Sequence, residues 1–226
     1  MQWADEVALI DLGRTRYSEA LRLMRDLHAR RKAGAVGDLL LLTEHEPVIT
    51  TGRGADFRNL LVPVEQLVAL GIELARVERG GDITYHGPGQ LVAYPILDLR
   101  GFGKDVHLFA RRLEETARLM LRRYGVEAER RAGAPGLYVG EGKIASIGIF
   151  VSRWVTMHGI AINLDIDPAH AALLVPCGLA GVALTSVANL TSTAPTYGEA
   201  MAVFAAAFAD VFGCRVVARG PAAIVQ

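Results

Sequence analysis

The 226-residue sequence predicts an α+β fold: a single domain with a central mixed, largely antiparallel sheet flanked by helices. Three observations point there. Segments 17–32, 104–124 and 197–212 carry apolar residues at helical spacing. Three β-favouring runs between Leu137 and Leu164 are separated only by tight turns, as antiparallel neighbours are. No linker, internal repeat or low-complexity stretch divides the chain, so one domain spanning residues 1–226 is expected.

The elements follow in order. Residues 7–12 (VALIDL) open as a strand, and residues 17–32 follow as a helix with Ala20, Leu23, Met24 and Leu27 on one face. Residues 38–43 contain four successive leucines, the pattern of a strand covered on both faces. Pro63 and Gly71 bracket a short helix, proline in its first turn and glycine after its end. Residues 72–78 read as another strand. Residues 91–99 do too, but Pro95 lacks an N–H and points to an edge position or a bulge. In the segment 104–124, Val106, Leu108, Phe109, Leu113, Ala117, Met120 and Leu121 form a stripe, and Gly125 ends it. Residues 137–139, 143–151 and 155–164 are the three antiparallel strands. An alanine-rich helix over 197–212 and a strand over 214–217 close the chain, which places Cys214 in the core.

Composition narrows the function classes. Hydrophobic residues make up 51% and charged residues 21%, typical of a globular protein. Formal charge is zero, so no global field draws nucleic acid or a membrane surface, and neither is expected as a partner. No apolar run reaches the roughly 18 residues of a spanning helix, and Met1–Glu6 lacks the basic start of an export signal. A cytoplasmic location is therefore expected, with both cysteines reduced. They show no CxxC or Cys/His spacing, so no metal site and no cofactor are expected. Basic pairs at 30–32, 111–112, 122–123 and 130–131 read as solvated helix faces rather than a docking surface for an acidic partner.

Chemistry concentrates in three places. The run RGGDITYHGPGQ, Arg79 to Gln90, sets four glycines around Arg79, Tyr85 and His86. Glycine permits close approach of a ligand but loses the most entropy on ordering, so this reads as a loop shaped for a substrate. It fits neither the GxxxxGK[ST] nor the GxGxxG order of phosphate-binding loops. Cys177, in VPCGL, lies between a proline and a glycine at a bend, where a sulfur can be presented to a cleft. Lys143 follows the Gly-Glu-Gly turn and opens an apolar strand, at the border between solvent and core. A lysine there ordinarily snorkels; beside a thiol it would favour the thiolate, and desolvated it could act as a base. His158 competes as a base for Cys177 in a protease-like pair, but the cysteine's surroundings lack the papain-type motif.

Four separated segments, RGGDITYHGPGQLVAYPILDL, GKIASIGI, RWVTMHGIAINL and VPCGL, together resemble the lipoyl(octanoyl) transferase family, in the family's order. The resemblance runs from about Leu39 to Leu190. It implies a fold shared with biotin and lipoate protein ligases. It also implies that Cys177 is the acyl-thioester nucleophile and Lys143 the residue that tunes it. By the same resemblance Arg79, Gly80, Gly81, Asp82, Ile83, Thr84, Tyr85 and His86, then Ser146, Ile147 and Gly148, then Gly159, Ile160 and Ala161 line the acyl site, and His158 falls beside it. Asp82 and Ile83 depart mildly from the family's loop. The implied donor is octanoyl-acyl carrier protein. The implied acceptors are lipoyl domains of 2-oxoacid dehydrogenases and the glycine cleavage H protein, with no nucleotide required. Two alternatives stay open: an ATP-dependent lipoate or biotin protein ligase, and a non-catalytic acyl-carrier-binding protein.

Overall fold

The computed structural model describes residues 6–176, 181–191, 193–220 and 224. The leucine run lies near the middle of the architecture. Leu39, Leu40, Leu41 and Leu42 are all at most 4% exposed. Leu39 and Leu41 enter one apolar cluster with Ile10, Met24, Leu27, Tyr94 and Met157. Leu40 and Leu42 enter another, with Phe109, Leu113, Leu121, Phe204 and Phe208. Side chains alternate along a strand, so a run that is apolar throughout requires cover on both faces, and that is what it has.

This run is β2 (Asp38–His45), in a sheet with β1 (Glu6–Thr15), β6 (Gln90–Ile96), β7 (Glu129–Arg131), β8 (Ala134–Val139), β9 (Gly142–Ser152), β10 (Val155–Asn163) and β12 (Arg215–Arg219). The order is β12-β1-β2-β6-β10-β9-β8-β7. Pairs β12–β1 and β1–β2 are parallel, and the rest of that path is antiparallel. The short β11 (Ala183–Leu184) adds a parallel pairing with Gly142 and Lys143 at the start of β9. Helix α1 (Tyr17–Lys32) supplies the cluster on one face. Helices α3 (Val106–Arg122) and α6 (Tyr197–Phe212) supply the cluster on the other. Both start on strong caps: the Asp105 carboxylate accepts from His107 and Leu108 N–H, and Thr196 forms a reciprocal capping box with Glu199. Short helices α2 (Val64–Ala69), α4 (Pro168–Ala171) and α5 (Val187–Thr191) occupy the connections.

A second, three-stranded sheet was not anticipated. It joins β4 (Glu73–Arg76), β3 (Val48–Thr51) and β5 (Ile83–His86) in the order β4-β3-β5. The half of the glycine-rich run expected to be loop is thus a buried strand, Ile83–His86, paired antiparallel with Val48–Thr51. Each strand has only four residues; of the three, only β4 falls within an expected strand, the one over residues 72–78. Their partners across the chain make them strands.

Pro95 corrects another expectation. It lies in β6 at the centre of the sheet, between β2 and β10, not at an edge. The ladder to β10 runs from Asn163↔Gln90 to Ile160↔Ala93 and resumes as a single bridge at Asp98↔Val155, so it is interrupted where Pro95 has no N–H to give. Thr156 closes the gap: its hydroxyl donates to Pro95 O (2.7 Å) and accepts from Leu97 N–H (2.9 Å). Gly159 makes room, since a Cβ there would lie 2.8 Å from Pro95 Cδ and 2.2 Å from Ala93 O.

The basic pairs are largely spent within the molecule. Arg31 pairs with Asp38, Arg130 with Glu114 and Glu115, and Arg122 with Glu127. No helix among the described residues is long and apolar enough to cross a membrane.

Candidate active site

Two of the segments singled out in the sequence turn out to be cross-strand partners. Ser146, Ile147 and Gly148 on β9 stand in register with Ala161, Ile160 and Gly159 on β10. Together they form the floor of a cleft, enclosing about 440 Å³ in part open to solvent. Arg79, Gly81, Asp82, Thr84 and His86 line it from the glycine-rich run, and Tyr17, Val92, Tyr94 and His158 complete it. Gly80, Ile83 and Tyr85 are not part of the lining. Strand alternation explains the last two: Ile83 and Tyr85 enter the apolar cluster with Ile49, Leu67 and Leu174, and the Tyr85 hydroxyl meets His170 Nδ1 at 3.1 Å. Gly80 instead ties the loop to β9 through its N–H to Ile149 O (2.9 Å).

Arg79 is 7% exposed, and its Nη2 donates to Thr50 O and Thr50 Oγ1, both at 2.8 Å. Gly148 lets it pass, because a Cβ there would sit 2.8 Å from Arg79 Cδ. The guanidinium is therefore held by β3, a strand of four β-branched residues.

Beneath the cleft, polar side chains form a buried line. His86 Nδ1 donates to Gln90 Oε1 (2.7 Å), Gln90 Nε2 to Asn163 Oδ1 (2.8 Å), and Asn163 Nδ2 to Thr185 O (2.8 Å) and Lys143 O (3.3 Å). This ties the cleft to the backbone of Lys143. Burial pushes His86 down to about 3, with His45 the next cause. Burial likewise takes His45, which shares a hydrogen bond with the Tyr94 hydroxyl (2.7 Å), down to about 4. Sequence reasoning missed Gln90 and Asn163 as a pair, although both stand in the quoted motifs, and missed Tyr17, His45 and Tyr94 altogether. Polar residues within apolar strand patterns were the available signal.

Lys143 is fully buried, not at the solvent border. Its Nζ donates to Pro135 O (2.9 Å) and stands 5.4 Å from the centre of the Tyr138 ring, so β8 covers it, while β11 pairs along its backbone. It is outside the cleft lining. Cys177 lies outside the described residues. The chain just before it is well placed: Leu174 is buried, and Val175 N–H donates to Asn59 O (2.8 Å). Cys214 is half-buried at the rim of the larger cluster, and burial pushes its thiol up to about 11, which makes it a poor nucleophile.

His158 has φ +61°, in the left-handed region, within an otherwise extended strand. Its ring packs edge-on against Tyr94, a residue of the cluster on the α1 side. Burial and then Arg79 lower its pKa to about 4.

Residues 16–209 match the family model described as the lipoyl protein ligase A/B catalytic domain. The chain belongs to this family. Among curated relatives, an octanoyltransferase of Gloeobacter violaceus is 47% identical over 210 residues, covering 92% of this chain and 90% of the relative. One of Solibacter usitatus is 49% identical over 171 residues, covering 76% and 78%. The fold is similar to that of a lipoate-protein ligase A solved with bound ATP, at TM-score 0.76 and 17% identity over 95% of this chain and 89% of that one. It is also similar to a bipartite lipoate protein ligase from Thermoplasma acidophilum, at TM-score 0.73 and 17% identity over 96% and 87%. Biotin protein ligase from Aquifex aeolicus is more distant, at TM-score 0.53 and 13% identity over 93% and 71%. The solved ligases thus share the fold, and the high identities are to octanoyltransferases.

Proposed function

We propose that this chain, acting as one catalytic domain in the cytoplasm, transfers an octanoyl group from acyl carrier protein to a lysine of a lipoyl-dependent carrier domain, through a thioester on Cys177. It is an acyltransferase of lipoate biosynthesis. The observation that carries the reading is the 40–49% identity to relatives named octanoyltransferase over most of the chain. The cleft supports it: eleven of the fourteen residues expected to line the acyl site do line one continuous cleft, floored by two registered strands.

In the first step the Cys177 thiolate attacks the thioester carbonyl carbon of the octanoyl carrier. A new carbon–sulfur bond forms, the bond to the phosphopantetheine sulfur breaks, and that sulfur leaves as a thiolate that takes its proton from the Lys143 ammonium, leaving Lys143 as the neutral amine. In the second step the acceptor lysine amine attacks the same carbon, a carbon–nitrogen bond forms, and Cys177 leaves as thiolate. The amine's surplus proton must be taken up, and Lys143 is the proposed acceptor. Thioester exchange is close to isoenergetic and amide formation is downhill, so no nucleotide is needed. Lipoyl domains of 2-oxoacid dehydrogenases and the glycine cleavage H protein are the proposed acceptors.

A second reading follows from the fold shared with a ligase solved with ATP. One experiment separates the two. The protein is incubated with octanoyl-carrier protein without ATP, and the intact mass is measured. Gain of one octanoyl group by wild type and by Cys214→Ala, but not by Cys177→Ala, supports the transferase. Acylation of a carrier domain only from free octanoate plus ATP would instead establish the ligase.

A further inference from the structure

A carboxylate in the lining of a cleft meant for an alkyl chain offers that chain nothing, so Asp82 needs another explanation. Both its oxygens are taken from behind. Oδ1 accepts from Asp56 N–H (2.8 Å) and Oδ2 from Asn59 Nδ2 (2.5 Å). The backbone around it is fixed as well: Gly52 N–H donates to Asp82 O (3.2 Å) and Gly54 N–H to Gly81 O (3.1 Å).

The segment that Asp82 grips continues to the chain ahead of Cys177. Asn59 O accepts from Val175 N–H (2.8 Å), Leu60 bridges Leu174 in antiparallel fashion, and Leu61 N–H donates to Leu173 O (2.9 Å). Three successive residues, 59–61, are thus zipped to 173–175, and Cys177 follows two residues later. The only side-chain hydrogen bonds among the described residues that run from the glycine-rich loop to this strut are those of Asp82.

We propose that Asp82 and Asn59 are positioning residues: a side-chain clasp that fixes the chain leading to Cys177 against the glycine-rich loop. The proposal rests on the reading of Cys177 as the nucleophile. A carboxylate suits the task because two N–H donors converge on it, and it accepts both without a donor of its own.

The test reverses the polarity of the clasp. Asp82→Ala removes both acceptors, and Asn59→Asp sets two carboxylates face to face; each leaves a polar pair unmade. The double variant Asp82→Asn/Asn59→Asp restores one donor and one acceptor in the opposite sense, and the remaining amide oxygen still accepts from Asp56. Each single variant is expected to acylate at least about tenfold more slowly at saturating octanoyl-carrier protein, with KM for the carrier little changed. The double variant should recover to within about threefold of wild type. A rise in KM at unchanged maximal rate would make Asp82 a substrate contact and overturn the proposal, as would single variants at wild-type rate or a double variant no better than the singles. If Asn59→Asp fails to fold, Asn59→Ala removes the donor without adding a charge, and the same slow acylation at unchanged KM is expected. Failure of the underlying reading looks different: wild type would then carry no acyl group on Cys177 at all.

Discussion

Nε2 of His158 lies 3.6 Å from Oε2 of Glu78, and neither atom has a hydrogen-bond partner among the described residues. Glu78 gives its other oxygen to Arg25 (2.8 Å). Burial pushes the Glu78 carboxyl up, but hydrogen bonds from its own backbone and from Arg25 outweigh this and keep it below the usual range. His158 is neutral for the converse reason, since burial and the neighbouring Arg79 both disfavour imidazolium. Its left-handed φ lets it depart from the strand's alternation and reach the cleft, opposite Ile149 on β9. Six residues of β9 separate that point from Lys143, about 20 Å of strand.

Four buried histidines therefore make stability fall in mild acid, His28 among them, since burial holds it below its ordinary value. His45 and His158 stay neutral in the fold down to about 4, and His86 to about 3. The unfolded chain takes up each proton near 6.5. Between these values the unfolded state binds more protons, so stability rises with pH through that window and is lost as pH falls through it. Each ring contributes up to about 1.4 kcal/mol per pH unit there. Thermal midpoints measured from pH 7.5 to 4.5 should be level above about 7 and drop steeply below 6. A flat profile would mean that these rings titrate alike in both states.

Gly159→Ala should be among the most damaging single-methyl changes in the chain. The added carbon would lie 2.2 Å from Ala93 O, in the strand interruption that Pro95 creates. Neither backbone can retreat, because both strands are central to the sheet. A loss of about 3 kcal/mol or more is expected by denaturant titration. Gly198→Ala, with open space around its Cβ, is the matched control and should cost nothing measurable.

Lys143→Met keeps an unbranched chain in the buried slot and removes the ammonium. Pro135 O loses a donor, and the unfolding free energy should fall by about 1–3 kcal/mol. The sharper readout is the pH dependence of Cys177 alkylation in the Cys214→Ala background. If Lys143 stabilises the thiolate, the midpoint of that profile moves up in the variant. Coincident profiles would remove the tuning role.

Much of the fold was legible because its signals are local. The helix at 17–32 and the helix at 197–212 have the bounds that apolar spacing predicts, and the strands of residues 134–163 follow from their turns. Pro95 was misplaced because a proline's cost depends on its neighbours: Thr156 and Gly159 make a central strand tolerable, and both lie more than 60 residues away. Lys143 was misplaced because the residues that bury it come from a hairpin partner and from β11, 40 residues on.

The sequence alone determined which residues are chemically unusual: the glycine-rich run, the lysine opening a strand, a cysteine between proline and glycine, and the two motifs that carry Ser146–Gly148 and Gly159–Ala161. It also determined the helices and the antiparallel strands, since periodicity, caps and turns act over a few residues. Only the tertiary structure decided that the two motifs lie in register as one floor, that Arg79 is held by Thr50, that His86, Gln90 and Asn163 connect to Lys143, and that Asp82 faces Asn59. Most of those are hydrogen bonds between groups more than ten residues apart. Their geometry is set by how strands pair and how the two sheets pack, and no local pattern encodes it.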